Sequence, residues 1–101
     1  MKSSRKLRLT PEARADVGDI RRYTARQWGV RQRDIYHAQL NRGLRSLLDN
    51  PERGRPRDEL YAGCRSLPVE RHIVYYYLTD DEVVIDRVLH SSQDTTDKLN
   101  R

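Results

Sequence analysis

Gly29 separates two amphipathic stretches, and this punctuation limits the folds open to the chain more than any other feature. Before it, Thr10-Pro11-Glu12 reads as a helix start: a capping hydroxyl, a proline at the first helical position and an acid near the positive end of the dipole. Ala13, Val17, Ile20, Thr24 and Trp28 then recur every three or four residues, which predicts a helix from Pro11 to about Trp28. A second helix is expected from about Arg31 to Asp49, with a stripe of Tyr36, Leu40, Leu44, Leu47 and Leu48, ended by Asn50-Pro51. Two helices joined so tightly pack antiparallel. Gly18 and Gly43 each cost roughly 1 kcal/mol inside a helix, and either close helix–helix approach or sequence drift accounts for them.

The remainder reads as strands. Lys6 to Leu9 alternates as a short strand, and Asn50 to Glu59 is expected to be a loop. Cys64 to Val69 is a strand that Pro68 marks as an edge. Arg71 to Leu78 is the strongest strand, Thr79-Asp80-Asp81 turns the chain, and Glu82 to His90 is the last strand. Beyond Ser91 the chain is polar, and 94–101 is expected to fray. The order β-α-α-β-β-β predicts one α+β domain over 1–101, a small antiparallel sheet covered on one face by a helical hairpin.

A two-residue turn at Asp80-Asp81 pairs Leu78 with Val83 and Tyr76 with Ile85. Strict alternation then puts Val74, Tyr76, Leu78, Val83, Ile85 and Leu89 under the helices. Arg71, Ile73, Tyr75, Tyr77, Val84, Asp86, Val88 and His90 fall on the opposite face, expected to be the working surface. Parity puts Arg87 on the buried side, paired at the sheet's rim.

Composition narrows the function. The chain has 101 residues, too few for a two-domain enzyme. Hydrophobic residues make up only 36%, but their patterning argues against disorder. The 3 Lys and 17 Arg outweigh 15 Asp and Glu, for a net charge of +5. That arginine excess reflects either coding bias or a surface selected to fork onto phosphate and carboxylate groups. The single cysteine, Cys64, permits neither an intramolecular disulfide nor a cysteine-based zinc cluster. His37, His72 and His90 do not fall at ligand spacing, so neither a metal nor a cofactor is expected. No apolar run is long enough to span a membrane and no secretory leader is recognisable, so a cytoplasmic protein is expected.

Several residues have both a chemical and a plainer reading. His90 has the titration range of a general acid–base group, or is a strand-end histidine bonded to backbone. Arg65 is a phosphate or carboxylate clamp, or a partner in a structural ion pair. Tyr75-Tyr76-Tyr77 stacks on bases, or packs a strand. Tyr23, Trp28 and Tyr36 form an exposed apolar surface for a partner, or ordinary core. Arg53, Arg55 and Arg57 touch an acidic partner, or line a solvated loop.

Leu9-Thr10-Pro11-Glu12-Ala13, Tyr23 with Trp28-Gly29, and Asn50 through Leu60 resemble the ParE-type toxins. So do Gly63 through Val69, Arg71 through Tyr76, and Arg87-Val88-Leu89-His90 with Asp94. The resemblance runs from about Leu7 to Asp94. It implies the ParE/RelE fold and the toxin half of a bacterial type II toxin–antitoxin pair, of the plasmid stabilisation type. It implies inhibition of DNA gyrase and replication, without enzymatic activity, and neutralisation by a ParD-like antitoxin with a disordered C-terminal tail. Operator DNA would be reached only through that antitoxin. The expected antitoxin groove is Trp28, Tyr36, Leu40, Arg65 and Arg71; the expected functional surface is Arg65, Arg71, Tyr75, Arg87 and His90. The runner-up is a RelE-like ribosome-dependent mRNA endonuclease using His90, Arg71 and Tyr75. Strand positions that often carry Lys or Arg in those nucleases are apolar here, and the three lysines are all near the ends. A third reading is a non-toxic antitoxin-binding module.

Overall fold

The structure, a computed structural model, describes residues 5–93 and Leu99. Its order is β1 (Lys6–Leu9), α1 (Pro11–Trp28), α2 (Val30–Asp49), β2 (Arg55–Pro56), β3 (Arg65–Val69), β4 (His72–Leu78) and β5 (Glu82–His90). Thr10 starts α1 as its sequence predicts: Oγ1 accepts the Ala13 N–H at 3.0 Å. The same hydroxyl donates to the Asp86 carbonyl at 2.9 Å, tying the helix start to β5. Gly29 alone joins the helices, at a φ of 93° that only glycine adopts without strain.

The sheet order is β1-β5-β4-β3-β2. It is mixed rather than wholly antiparallel, because β1 pairs with β5 in parallel, Lys6 opposite Glu82 and Leu9 opposite Ile85. The two helices form the crossover that parallel pairing requires. The segment expected to be only a loop contributes β2, two residues paired with Arg65 and Ser66. Beyond that pairing β3 is an open edge at Leu67–Val69, where Pro68 has no ladder bond to lose.

The β4–β5 hairpin keeps the expected register at its turn, with Leu78 opposite Val83 and Tyr76 opposite Ile85. Past that point alternation breaks. Tyr75 pairs with Arg87, so Asp86 is an extra residue, a β-bulge. The bulge exchanges the two faces for the rest of β5. Val88, assigned by alternation to the outer face, lies in the core under the helices, and Leu89, assigned to that core, lies on the far side. Arg87 is paired, as expected, but reaches its partner from the bulge. Its Nε and Nη2 each sit 2.8 Å from the Asp16 carboxylate on α1, and the Val88 N–H donates to the same carboxylate at 2.9 Å.

The main core joins Ala13, Leu40, Leu44 and Leu47 of the helices to Val74, Tyr76, Val83, Ile85 and Val88 of the sheet. Gly43 lets α2 close onto β3: a Cβ there would lie 2.7 Å from Val69 Cγ1. The close approach is therefore helix to strand. A Cβ on Gly18 would meet only the side chain of Arg22 on its own helix, so helix–helix contact does not explain that glycine. A second, smaller core on the opposite face gathers Cys64, Tyr75, Leu89 and Leu99. The expected frayed tail lies mostly outside the described residues, but Leu99 is 1% exposed and packed in this second core. Burial pushes the Cys64 thiol up, away from thiolate chemistry.

Candidate functional site

A cleft of about 680 Å³ opens between the helical hairpin and the sheet end where β4 begins and β5 finishes. Its upper wall comes from Ile20, Tyr23 and Trp28 of α1 with Gln32 and Tyr36 of α2. Arg71, His72, His90 and Ser92 form its floor. On the last two turns of α1, Trp28 is 66% and Tyr23 56% exposed. Large apolar side chains so placed mark a surface that buries against something else.

The floor is held by a chain of hydrogen bonds. Glu70, with a φ of 55°, turns β3 into β4 and brings the Arg71 N–H to 3.0 Å from the Tyr36 hydroxyl. That hydroxyl lies 2.6 Å from His72 Nδ1, and the two rings meet edge to face. Burial, reinforced by the nearby His90, pushes the His72 pKa down to about 4, so the ring is neutral at physiological pH. His90 sits directly opposite His72 across the β4–β5 pair, ring centroids 5.4 Å apart and planes nearly perpendicular. Asp19 stands at the rim, its carboxylate held by Arg22.

The residues expected to form the groove separate. Trp28, Tyr36 and Arg71 meet in the cleft. Leu40 does not reach it, being 1% exposed in the main core. Arg65 lies at the other end of β3, opposite Tyr76, where Nη1 donates to the Gly54 carbonyl at 2.6 Å and the Glu52 carbonyl at 3.2 Å. It staples the loop before β2.

The expected functional surface divides as well. Arg71 and His90 share the cleft, but on the hairpin side of the sheet rather than the opposite one. Tyr75 is 1% exposed in the second core, with the Arg57 guanidinium 5.8 Å from its ring centre. Arg87 is committed to Asp16. The triad His90, Arg71 and Tyr75 is thus not assembled on one face, because the Asp86 bulge moves His90 to the face Tyr75 does not occupy. The arginine loop is mostly occupied: Arg53 bonds Ser46, and Arg57 bonds Glu59 and Ser66. His72 was missed by the ligand-spacing argument. Its signal was parity with Val74 and Tyr76, which points it toward the helices.

Among the described residues no three His, Cys, Asp or Glu side chains group to hold a metal ion, and no helix is long and apolar enough to cross a membrane.

The family model of the ParE toxin of type II toxin–antitoxin systems matches residues 7–95, a span from β1 through the end of β5 that leaves out only Lys6 of these elements. The chain belongs to the ParE toxin family. Similar ParE proteins include Toxin ParE1 of Caulobacter vibrioides, 36% identical over 84% of this chain and 88% of that protein. Toxin ParE1 of Mycobacterium tuberculosis is 35% identical over 96% of this chain and 99% of its own length. Toxin ParE of Escherichia coli is 33% identical over 90% and 89%. The ParE fold is borne out by solved structures. A chain of the chromosomal ParDE system of P. aeruginosa aligns with a TM-score of 0.76 at 19% identity, covering 86% of this chain and 96% of that one. A chain of the E. coli DinJ-YafQ toxin–antitoxin complex aligns with a TM-score of 0.50 at 24% identity, covering 86% and 92%.

Proposed function

We propose that the chain poisons DNA gyrase and blocks replication, and that a ParD-like antitoxin neutralises it by folding its disordered C-terminal tail into the cleft beside the helical hairpin. The observation that carries this reading is the exposure of Trp28 and Tyr23 over a floor that carries the Arg71 guanidinium and two imidazoles. A tail that folds on binding needs large apolar anchors to offset its ordering entropy, and an Arg-rich chain of net charge +5 draws an acidic segment. The separation of Tyr75 from His90 and Arg71 supports a toxin that acts by binding rather than by cutting phosphodiester bonds. No cofactor enters this reading, the compartment is the cytoplasm where gyrase works, and operator DNA is contacted only through the antitoxin.

The test compares antitoxin-free protein in two assays. One follows gyrase supercoiling and accumulation of cleaved DNA; the other follows mRNA cleavage on translating ribosomes. Inhibited supercoiling with intact mRNA is expected. Cleaved mRNA with normal gyrase overturns the target, and silence in both arms leaves the non-toxic module. Replacing Trp28 by Ala is expected to weaken ParD-type antitoxin binding by about thirtyfold or more while leaving thermal stability unchanged; equal affinity removes the cleft from the interface.

A further inference from the structure

We propose that the floor of this cleft is a carboxylate receptor, built by His72, His90 and Arg71, which selects a partner segment carrying an acidic side chain beside an apolar anchor. The identity of the partner rests on the antitoxin reading above; the chemistry of the floor does not.

The argument starts from where the ring hydrogens lie. The Arg71 N–H donates to the Tyr36 oxygen at 3.0 Å, and that hydroxyl lies 2.6 Å from His72 Nδ1; with its oxygen already accepting from Arg71, we assign the O–H as the donor to a neutral Nδ1. The Ser92 N–H donates to His90 Nδ1 at 3.2 Å, with Ser92 Oγ at 2.8 Å from the same atom. Both Nδ1 atoms therefore act as acceptors. A neutral imidazole that accepts at Nδ1 carries its hydrogen on Nε2. The cross-strand pair thus brings two Nε2–H donors to the cleft, with the Arg71 guanidinium beside them.

No acceptor among the described residues takes either Nε2–H or the Arg71 guanidinium. Among the described residues that line the cleft the one carboxylate is Asp19, which pairs with Arg22. Donors left without an acceptor among the described residues are matched by an anion with two acceptor oxygens. Ile20, Tyr23 and Trp28 stand over the same floor, so the neighbouring group on the ligand is apolar. An Asp or Glu next to a large aliphatic or aromatic side chain satisfies both walls, and the positive charge of the chain favours an acidic peptide. Tyr36 is a positioning residue here: it fixes the tautomer and orientation of His72.

The probe is the amidated dipeptide N-acetyl-Leu-Asp, compared with N-acetyl-Leu-Asn, each titrated into the labelled full chain while the His72, His90 and Arg71 side-chain resonances are followed. Saturable shifts at all three residues are expected, with the aspartyl peptide binding about tenfold more tightly. Arg71→Gln and His90→Gln, both at exposed positions, are expected to remove that discrimination without lowering stability. Tyr36→Phe is expected to release the His72 tautomer, read from its ring nitrogen shifts, and to reduce discrimination. Equal affinity for the two peptides, or discrimination that survives both glutamine variants, overturns the proposal. So does a short oligodeoxynucleotide that produces the same shifts at lower concentration than the aspartyl peptide. A chain that leaves gyrase untouched yet discriminates the peptides keeps the receptor. A chain neutralised by a ParD-type partner without peptide discrimination loses only the receptor.

Discussion

Asp16 fastens α1 to the bulge of β5, and the substitution Asp16→Asn tests whether that fastening holds the fold in register. The carboxylate is 9% exposed and accepts three bonds: Arg87 Nε and Nη2 at 2.8 Å each, and the Val88 N–H at 2.9 Å. An asparagine side chain keeps the shape but has one acceptor oxygen and no charge. Its amide nitrogen would face a donor. Removing one partner of a buried pair costs about 3–5 kcal/mol. The Arg87 side chain is 20% exposed, so water recovers part of this and the lower end applies. For a domain of this size, about 3 kcal/mol lowers Tm by roughly 12–24 °C. The assay is thermal unfolding by circular dichroism together with a urea titration, in which the midpoint falls while the slope m stays constant. In a double-mutant cycle, Arg87→Gln is expected to cost far less in the Asp16→Asn background than alone. A Tm within about 3 °C of the parent, or additive losses, would refute the claim that this contact holds the bulge.

Three further outcomes follow from the same geometry. Tyr76→Phe deletes a hydroxyl that accepts the Gly54 N–H and donates to the Pro51 carbonyl, both at 2.8 Å; a loss of about 1–3 kcal/mol is expected, with faster hydrogen exchange at Gly54. Gly43→Ala should gain about 1 kcal/mol of helix propensity but lose more than that to Val69, so net destabilisation is expected, relieved by Val69→Ala in the same chain; a stabilised single variant would contradict the close approach. Acidification in chelator-containing buffer tests His72. Its folded pKa of about 4 lies below the unfolded value near 6.5, so its contribution is complete above about pH 6.5 and lost as pH falls toward 4. The ring is only part-buried, and solvent screening reduces that contribution to about 1–2 kcal/mol. An NMR titration of the His72 ring with a midpoint above about 6 would contradict its burial.

The local parts of this fold were legible in the sequence. Thr10-Pro11 and Gly29 sit where caps and stops belong, and Asp80-Asp81 sets the hairpin register through Ile85. What escaped was tertiary. No run of residues says that β5 inserts one residue at Asp86; the bulge is stabilised by Asp16, some seventy positions earlier, which accepts the Val88 N–H. From that point a period-two reading gives Val88, Leu89 and His90 the wrong face. The same fault sent Leu89 to the main core and put His90 beside Tyr75 in the expected site. Leu40 and Arg65 lie outside the cleft for another reason: residue type suggested contact with a partner, whereas one fills the core and the other clasps a loop. The aromatic wall was half legible: Trp28 continues the stripe of α1, but Tyr23, Trp28 and Tyr36 read equally as exposed surface or as core, and only the packing of the helices decides between them. The floor was not legible, because His72 and His90 become neighbours only through strand pairing.

The parallel seam between β1 and β5 also shapes how the molecule is made. Arg8 and Glu82, which touch across that seam, are separated by 74 residues. On a translating ribosome the hairpin of helices emerges early, with its leucine stripe and aromatic wall exposed, long before the strand that seats them has been synthesised. Closing so long a loop is slow, and the waiting chain displays the kind of apolar surface that aggregates or recruits chaperones. The wall of the cleft therefore exists before its floor. Until β4 and β5 have both been made and paired, a partner meets only half of the surface it is to recognise.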